Sequence, residues 1–112
     1  MPKKVSVPYH VTAAGGATDT VSIFRVPSAR KLKVNKVTVA FPTGTYGELE
    51  VALYFGIRRV FPQGRNITGD NMSFGKDVDL TWFTGDNVLL YYKNNNATQT
   101  REAYVDLEGV LA

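Results

Sequence analysis

Two pairs of carboxylate residues occur at a spacing that could support acid–base chemistry. Glu48 and Glu50 form one pair, and Asp77 and Asp79 form the other. Alternate residues of a strand lie on one face about 7 Å apart, a separation that an inverting glycosidase can use. That chemistry also needs a carboxyl group with a raised pKa in a cleft, whereas alternating acids on an outer face more often protect a sheet edge. We therefore expect no enzyme activity from these pairs.

Other catalytic signals are missing from the sequence. The single histidine, His10, alternates with apolar residues on the same side as Ser6 and Pro8, which is typical of a solvated strand position. No nucleophile elbow, P-loop or dinucleotide fingerprint occurs. Cysteine is absent, which excludes disulfides, thiol catalysis and thiolate metal sites. The sequence therefore predicts a protein that needs no cofactor.

The tetrapeptide Thr-Gly-Asp-Asn occurs twice, with its second copy 16 residues after the first. Its glycines, Gly69 and Gly85, suit positions of positive φ, and its aspartates, Asp70 and Asp86, suit side-chain bonds within a tight turn. The other interpretation is a calcium site, because Asp and Asn are hard oxygen ligands, but about six to eight ligands would have to converge. We expect two turns without a metal and keep the two aspartates as calcium candidates.

Positive charge is concentrated near the start of the chain. The formal net charge is +3, but residues 1–36 contain seven basic side chains and one acidic one, whereas residues 37–112 contain six and nine. The densest run holds Arg30, Lys31, Lys33 and Lys36. Such a patch could contact phosphates, face the acids of another subunit, or pair with acidic strands of its own sheet. We do not expect nucleic acid as a partner, because the exposed aromatics described below lie among acidic residues.

A period-two alternation of apolar residues must position all these side chains. It is clearest in the strand that contains Leu49, Val51, Leu53 and Phe55, and turn residues interrupt it regularly. A change of parity in the third segment predicts a β-bulge at residues 35–36. No window has the periodicity of an amphipathic helix. We expect strands at residues 5–13, 19–26, 31–41, 48–55, 57–61, 72–83, 88–93 and 101–111, with the sixth either one long strand or a hairpin.

Eight short strands in 112 residues predict a single domain, 1–112, that is all-β. The connections are too short for parallel crossovers, so the strands form an antiparallel β-sandwich. We expect a jelly roll of eight strands, although an immunoglobulin-like sandwich with an extra strand fits almost as well. The predicted core is formed by Leu49, Val51, Leu53, Val78, Leu80, Trp82, Val105 and Leu107.

Several aromatic residues remain outside once these core stripes are filled. Alternation places Tyr54, Phe83 and Tyr104 on outer faces, and one of Tyr91 and Tyr92 joins them. Outward aromatics can be scattered singles, anchors of a protein interface, or a stacking platform for sugars. We take Tyr54, Phe83, Tyr91 and Tyr104 as the candidate interface or ligand-stacking residues.

The C-terminal half resembles small single-domain β-sandwich proteins of bacterial and archaeal viruses, which act as coat, decoration or spike modules. The residues that carry this resemblance are 54–56, Pro62, the Gly-Asp-Asn turns at 69–71 and 85–87, 90–92, Arg101, Tyr104, Val105 and 107–109. The resemblance lies in the order of strands and turns and transfers no functional residue. It implies a role in assembly or attachment.

These observations together predict a non-enzymatic module that makes protein–protein contacts in a homo-oligomer or a virus-like particle. The alternative is a carbohydrate-binding β-sandwich that uses loop and sheet-face aromatics. The sequence shows no secretory signal and no apolar run long enough to span a bilayer. We therefore expect cytoplasmic synthesis, with the virion as the destination of a particle protein.

Overall fold

The computed structural model describes residues 3–55, 58–62 and 66–112. Gly56 and Ile57, predicted to break one strand and begin the next, lie outside the described residues, as do residues 63–65 of the predicted loop after Pro62. The described part contains no helix, and hence none that could cross a membrane. It contains the strands β1 (Lys3–Ala13), β2 (Thr18–Arg25), β3 (Leu32–Phe41), β4 (Leu49–Phe55), β5 (Arg58–Phe61), β6 (Met72–Trp82), β7 (Asn87–Asn94) and β8 (Arg101–Leu111).

The strands form two four-stranded antiparallel sheets. Sheet one has the order β1-β8-β3-β6, and sheet two has the order β2-β7-β4-β5. Among the described strands, β4 and β5 are the only consecutive pair in one sheet, and every other consecutive pair lies in opposite sheets. This winding is that of a jelly roll, so the predicted β-sandwich is confirmed and the immunoglobulin-like strand order is not adopted. The segment before the second Thr-Gly-Asp-Asn copy is one strand, β6, without a hairpin.

The predicted core lies between the sheets. Of its eight residues, six are at most 2% exposed, and Trp82 is the largest of the fully buried side chains. Val78 and Leu80 point the same way but are only half-buried. Both lie on β6, the outer strand of sheet one, and sheet two ends in β5, which has only four residues. The inner face of β6 is therefore incompletely covered.

The predicted bulge is present in β3 and brings two strands unusually close. The register of β3 shifts between Val34 and Lys36 against both of its neighbours. Opposite this shift, β8 carries Gly109, where a Cβ atom would overlap the carbonyl oxygen of Lys33 and lie 2.9 Å from the Cα of Val34. Only a residue without a side chain fits between the backbones here.

Candidate interaction surfaces

Tyr54 and Tyr91 meet on the outer face of sheet two. Their ring centroids are 6.0 Å apart, and the ring planes are inclined by 52°. Tyr91 lies opposite Ala52 across β4 and β7, and Ala52 is 1% exposed although alternation places it on the outer face. The larger neighbours of this small side chain therefore shield it from water. Burial raises the pKa of the Tyr91 hydroxyl, and the charge of Glu50 adds to this rise.

Leu89 completes this surface, which we call the tyrosine patch and define as Ala52, Tyr54, Leu89 and Tyr91. Leu89 lies opposite Tyr54 in the register of β4 and β7. Charged residues border the patch, because Glu50 pairs with Lys93 in the register and Arg59 of β5 lies opposite Tyr54. An apolar and aromatic centre with a charged border is the usual anatomy of a protein interface.

Tyr104 lies on the opposite side of the molecule, on the outer face of sheet one. It is 49% exposed and stacks on His10 with ring centroids 4.5 Å apart and an interplanar angle of 5°. The Nε2 atom of His10 lies 3.2 Å from a carboxylate oxygen of Glu102. The histidine thus occupies the solvated strand position predicted for it, and it supports an exposed tyrosine there.

Phe83 lies at one end of the sandwich, in the turn between β6 and β7. It is 57% exposed and lines an open depression with Arg30 and Lys31. The side chain of Asp86 holds the turn by accepting a hydrogen bond from the backbone N–H of Phe83 at 2.9 Å. Of the four predicted aromatics, the structure therefore joins only Tyr54 and Tyr91, and it places Tyr104 and Phe83 at two further sites.

Tyr46 is a further exposed aromatic, which the sequence reasoning missed. It is 71% exposed, has a φ of 53°, and lies in the β3–β4 loop with the guanidinium carbon of Arg101 5.7 Å from its ring centroid. Loop residues have no strand parity that would predict which way they point. The sequence between the two predicted strands, with Gly44 and Gly47 on either side of Tyr46, indicated a loop. It did not indicate that the ring would be exposed.

The two copies of the repeated tetrapeptide adopt different structures. Gly85 has the predicted positive φ, 81°, in the β6–β7 turn. The prediction for Gly69 was wrong: Asn71, with φ of 48°, takes the left-handed conformation instead. Gly69 is packed so closely that a Cβ atom would lie 2.9 Å from the Met72 side chain and 3.0 Å from that of Phe41. A side chain at Gly69 would thus have to displace the side chains of Met72 and Phe41, whereas Gly85 suits its backbone conformation.

The two aspartates also differ in their partners. Asp86 serves its own turn, as predicted, but Asp70 accepts backbone N–H bonds from Gly44 and Thr45 of another loop, at 2.8 and 3.0 Å. The prediction that Asp70 serves its own turn was therefore wrong. The eleven residues of β6 separate the two aspartates, a length of roughly 36 Å. Within the described ranges, no three His, Cys, Asp or Glu residues cluster as metal ligands would.

The basic run is divided between a sheet face and one end of the molecule. Lys36 lies between Asp77 of β6 and Glu108 of β8 in the register, so acidic strands of the same sheet flank it. Lys33 has no such neighbours, since Thr81 and Val110 lie opposite it. Arg30 and Lys31 are exposed at the end that carries Phe83.

The first carboxylate pair is held by partners that oppose acid catalysis. Arg101 binds Glu48 through its Nε and Nη2 atoms, at 3.2 and 3.0 Å. Hydrogen bonds from Asn95 and Asn66 lower the pKa of Glu50, whereas a general acid needs a raised one. The second pair, Asp77 and Asp79, is exposed on edge strand β6.

Neither a protein-family model nor a curated protein matches this sequence. Among solved structures, the chain is similar to one in the acidic stable capsid of the Helicobacter pylori bacteriophage KHP30, with 17% identity, a TM-score of 0.55, and coverage of 100% of this chain and 97% of that one. A chain of the cyanophage Pam1 capsid asymmetric unit gives 16% identity, a TM-score of 0.62, and coverage of 99% and 86%. A chain of Sulfolobus turreted icosahedral virus has 15% identity and a TM-score of 0.59, and the match covers 98% of this chain and 30% of that one. These likenesses show that the fold is one found in virus coat structures, and they confirm the resemblance predicted from the strand-and-turn pattern.

Proposed function

We propose that this protein is a non-enzymatic structural subunit that assembles with copies of itself into an oligomer or a virus-like particle. The observation that carries the proposal is the placement of its exposed aromatics in several directions. Tyr54 and Tyr91 lie on one sheet face, Tyr104 on the opposite face, and Phe83 at one end. A closed dimer needs one contact surface, whereas a subunit of a larger assembly needs contacts on several sides.

The tyrosine patch is the best-formed of these contact surfaces. Its rings are partly buried already, so binding a neighbour would immobilise little additional side-chain freedom. Tyrosine is among the residue types that most often carry the binding energy of interfaces. The charged border of Glu50, Arg59 and Lys93 would orient the neighbour, because exposed charges contribute more to specificity than to affinity.

The extent of the fold likeness supports the same proposal. The chain spans 97% and 86% of two chains from phage capsid structures, so it matches nearly whole subunits of those particles. A virion location and protein partners within a particle follow from this proposal. Carbohydrate binding receives less support from the predicted aromatics, because charged residues border all of them: Glu50, Arg59 and Lys93 around Tyr54 and Tyr91, Glu102 beside Tyr104, and Arg30 and Lys31 beside Phe83.

The charges give the proposal a second testable part. Lys33 lies opposite Thr81 and Val110 in the register, in contrast to Lys36, and Arg30 and Lys31 lie before β3, exposed at the end that carries Phe83. These three side chains would meet the acids of a neighbouring copy. Contacts between exposed charges weaken as the Debye length falls from about 10 Å at 0.1 M salt to about 3 Å at 1 M salt. Burial of aromatic surface is much less sensitive to salt.

Light scattering coupled to size-exclusion chromatography tests the proposal at several protein concentrations and at both salt concentrations. We expect a mass above that of one 12.4 kDa chain, rising with concentration. If the oligomer keeps its mass at 1 M salt, the contact is assigned to the aromatic surfaces. If the oligomer dissociates at 1 M salt, the contact is assigned to the basic run. A strictly monomeric protein at every concentration and salt would overturn the proposal.

A further inference from the structure

Four loops meet at the end of the sandwich opposite Phe83, and backbone hydrogen bonds join them into one unit. Gly16 of the β1–β2 loop donates to Asn96 of the β7–β8 loop at 2.7 Å, and Asn95 donates to Glu48 at the end of the β3–β4 loop at 2.8 Å. Gly47 of the β3–β4 loop donates to Gly69 of the β5–β6 loop at 3.1 Å. We call this unit the loop platform and define it as residues 14–17, 42–48, 66–71 and 95–100.

Polar side chains fasten the platform further. The Nδ2 atom of Asn94, a residue only 2% exposed, donates to the carbonyl groups of Ala13, Ala14 and Gln99 at 2.8 to 3.1 Å. The Oδ1 atom of Asn96 accepts the backbone N–H groups of Thr98 and Gln99 at 3.0 and 2.8 Å. The β7–β8 loop is thereby fixed although it belongs to no strand. A rigid loop cluster is pre-organised to bind, since little ordering remains to be done on contact.

The platform displays Tyr46 in a conformation that bulky residues rarely adopt. Its φ of 53° lies in the left-handed region, and such residues persist only where surrounding structure holds them. Asp70 supplies that hold: it captures the N–H groups of Gly44 and Thr45, and the backbone N–H of Tyr46 is the main cause of the lowered pKa of its carboxyl group. Arg101 contacts the ring and is itself fixed by Glu48.

Among the described residues of the platform, several exposed side chains carry hydroxyl or amide groups. Thr43, Asn95, Thr98, Gln99 and Thr100 are all exposed on the platform. Arg101, which contacts the ring, is paired with Glu48, and Asp70 accepts backbone N–H groups. Since Tyr46 is 71% exposed and Arg101 accounts for one contact with the ring, much of the aromatic surface is open to a ligand.

We propose that the loop platform binds a neutral carbohydrate, with a sugar ring stacked on the open face of Tyr46. The apolar C–H face of a pyranose packs on an aromatic ring, and its hydroxyl groups bond to amide and hydroxyl side chains, which both donate and accept. A polyanion fits less well, because the guanidinium of Arg101 is neutralised by Glu48. This site differs from the aromatics assigned to assembly and does not depend on the protein forming an oligomer.

Affinity electrophoresis through gels containing laminarin, dextran or mannan tests the proposal, with heparin as the anionic comparison. The key variant is Tyr46→Gly, which removes the ring and also relieves the left-handed strain, so that the fold is retained. Tyr46→Phe keeps the stacking ring and serves as the matched control. We expect at least one neutral polysaccharide to retard the protein, Tyr46→Gly to weaken binding about tenfold or more, and Tyr46→Phe to stay within about threefold.

Three outcomes would overturn the proposal. The first is a protein that migrates unchanged in all three neutral polysaccharides. The second is retardation by heparin alone, abolished by salt, which would indicate a polyanion site. The third is polysaccharide binding that Tyr46→Gly leaves intact. A change in oligomer mass with Tyr46→Gly, without any sugar binding, would assign the ring to a protein contact instead.

Discussion

Tyr54 on β4 and Tyr91 on β7 lie side by side on the outer face of sheet two, with their ring centroids 6.0 Å apart. The hydrogen-bonded register of the two strands fixes this pair, since Tyr54 pairs with Leu89 and Tyr91 with Ala52. Both rings stand on a rigid sheet and not on a loop. The protein therefore carries a preformed aromatic surface before any partner arrives, and its variants can be tested for assembly without disturbing the core.

Replacing Tyr54 by alanine should lower the assembly state of the protein. The substitution removes half of the tyrosine pair but no residue of the core between the sheets. We expect weaker assembly: on dilution, the oligomer of the variant should fall apart at a protein concentration roughly tenfold higher than that of the unsubstituted chain, as measured by light scattering. Tyr54→Phe is the matched control, because it keeps the ring. A Tyr54→Ala protein that assembles normally would remove the tyrosine patch from the interface.

Replacing Gly109 by alanine should strongly destabilise the fold. A Cβ atom there would overlap the carbonyl oxygen of Lys33, so the backbones of β3 and β8 would have to separate. We expect a loss of roughly 2 kcal/mol or more in the free energy of unfolding, measured with urea. Gly75→Ala in the same sheet is the control, because the nearest atom to its Cβ would be 3.5 Å away. Equal effects at both sites would contradict the close approach.

The repeated glycines should respond differently to asparagine. At Gly85, with φ of 81°, alanine should cost about 1 kcal/mol, and asparagine should cost less because it tolerates the left-handed region. At Gly69 the order should reverse, since space is limited by Met72 and Phe41 and asparagine is larger. Thermal unfolding of Gly69→Ala, Gly69→Asn, Gly85→Ala and Gly85→Asn measures these differences in stability. The same ranking at both sites would indicate that the two turns need glycine for one common reason.

Glu50 should make the protein less stable in acid. Hydrogen bonds from Asn95 and then Asn66 lower the pKa of its carboxyl group below the ordinary value of 4.5, so the folded state favours the charged form. A lowered pKa contributes stability that is complete above the unfolded value and is lost as the pH falls through the folded one. We expect the free energy of unfolding, measured with urea as the pH is lowered from 6, to fall less in Glu50→Gln than in the unsubstituted chain. Identical pH profiles would contradict this role.

Most of the fold could be predicted from the sequence because period-two alternation reports directly on strands. The parity change at Asn35 and Lys36 likewise revealed the bulge, and the stripe through Leu49 revealed the core. The jelly-roll type was expected from the number of strands, but that count did not separate it sharply from an immunoglobulin-like order, since strand order depends on which strands pair across long sequence distances. Half-burial of Val78 also escaped prediction, because it results from the shortness of β5 on the facing sheet.

The surface was harder to predict than the core, because strand alternation reports only whether a residue faces inward or outward. Alternation correctly turned Tyr54 and Tyr104 outward, but it could not show that they lie on opposite faces. The partner of Asp70 is a loop 25 residues away in sequence, and no local pattern encodes that contact. Tyr46 lies in a loop, where side-chain direction depends on the tertiary bonds that hold it.

The central claim is that several separate surfaces of this subunit make contacts, and sedimentation velocity of face-specific variants tests it most directly. Tyr54→Ala and Tyr104→Ala alter opposite sheet faces, and the double variant alters both. We predict smaller but still associated species for each single variant, and a smaller species again for the double variant, all with unchanged circular dichroism. An unsubstituted chain that sediments as a monomer at every concentration, or single and double variants that sediment as the unsubstituted oligomer does, would contradict it.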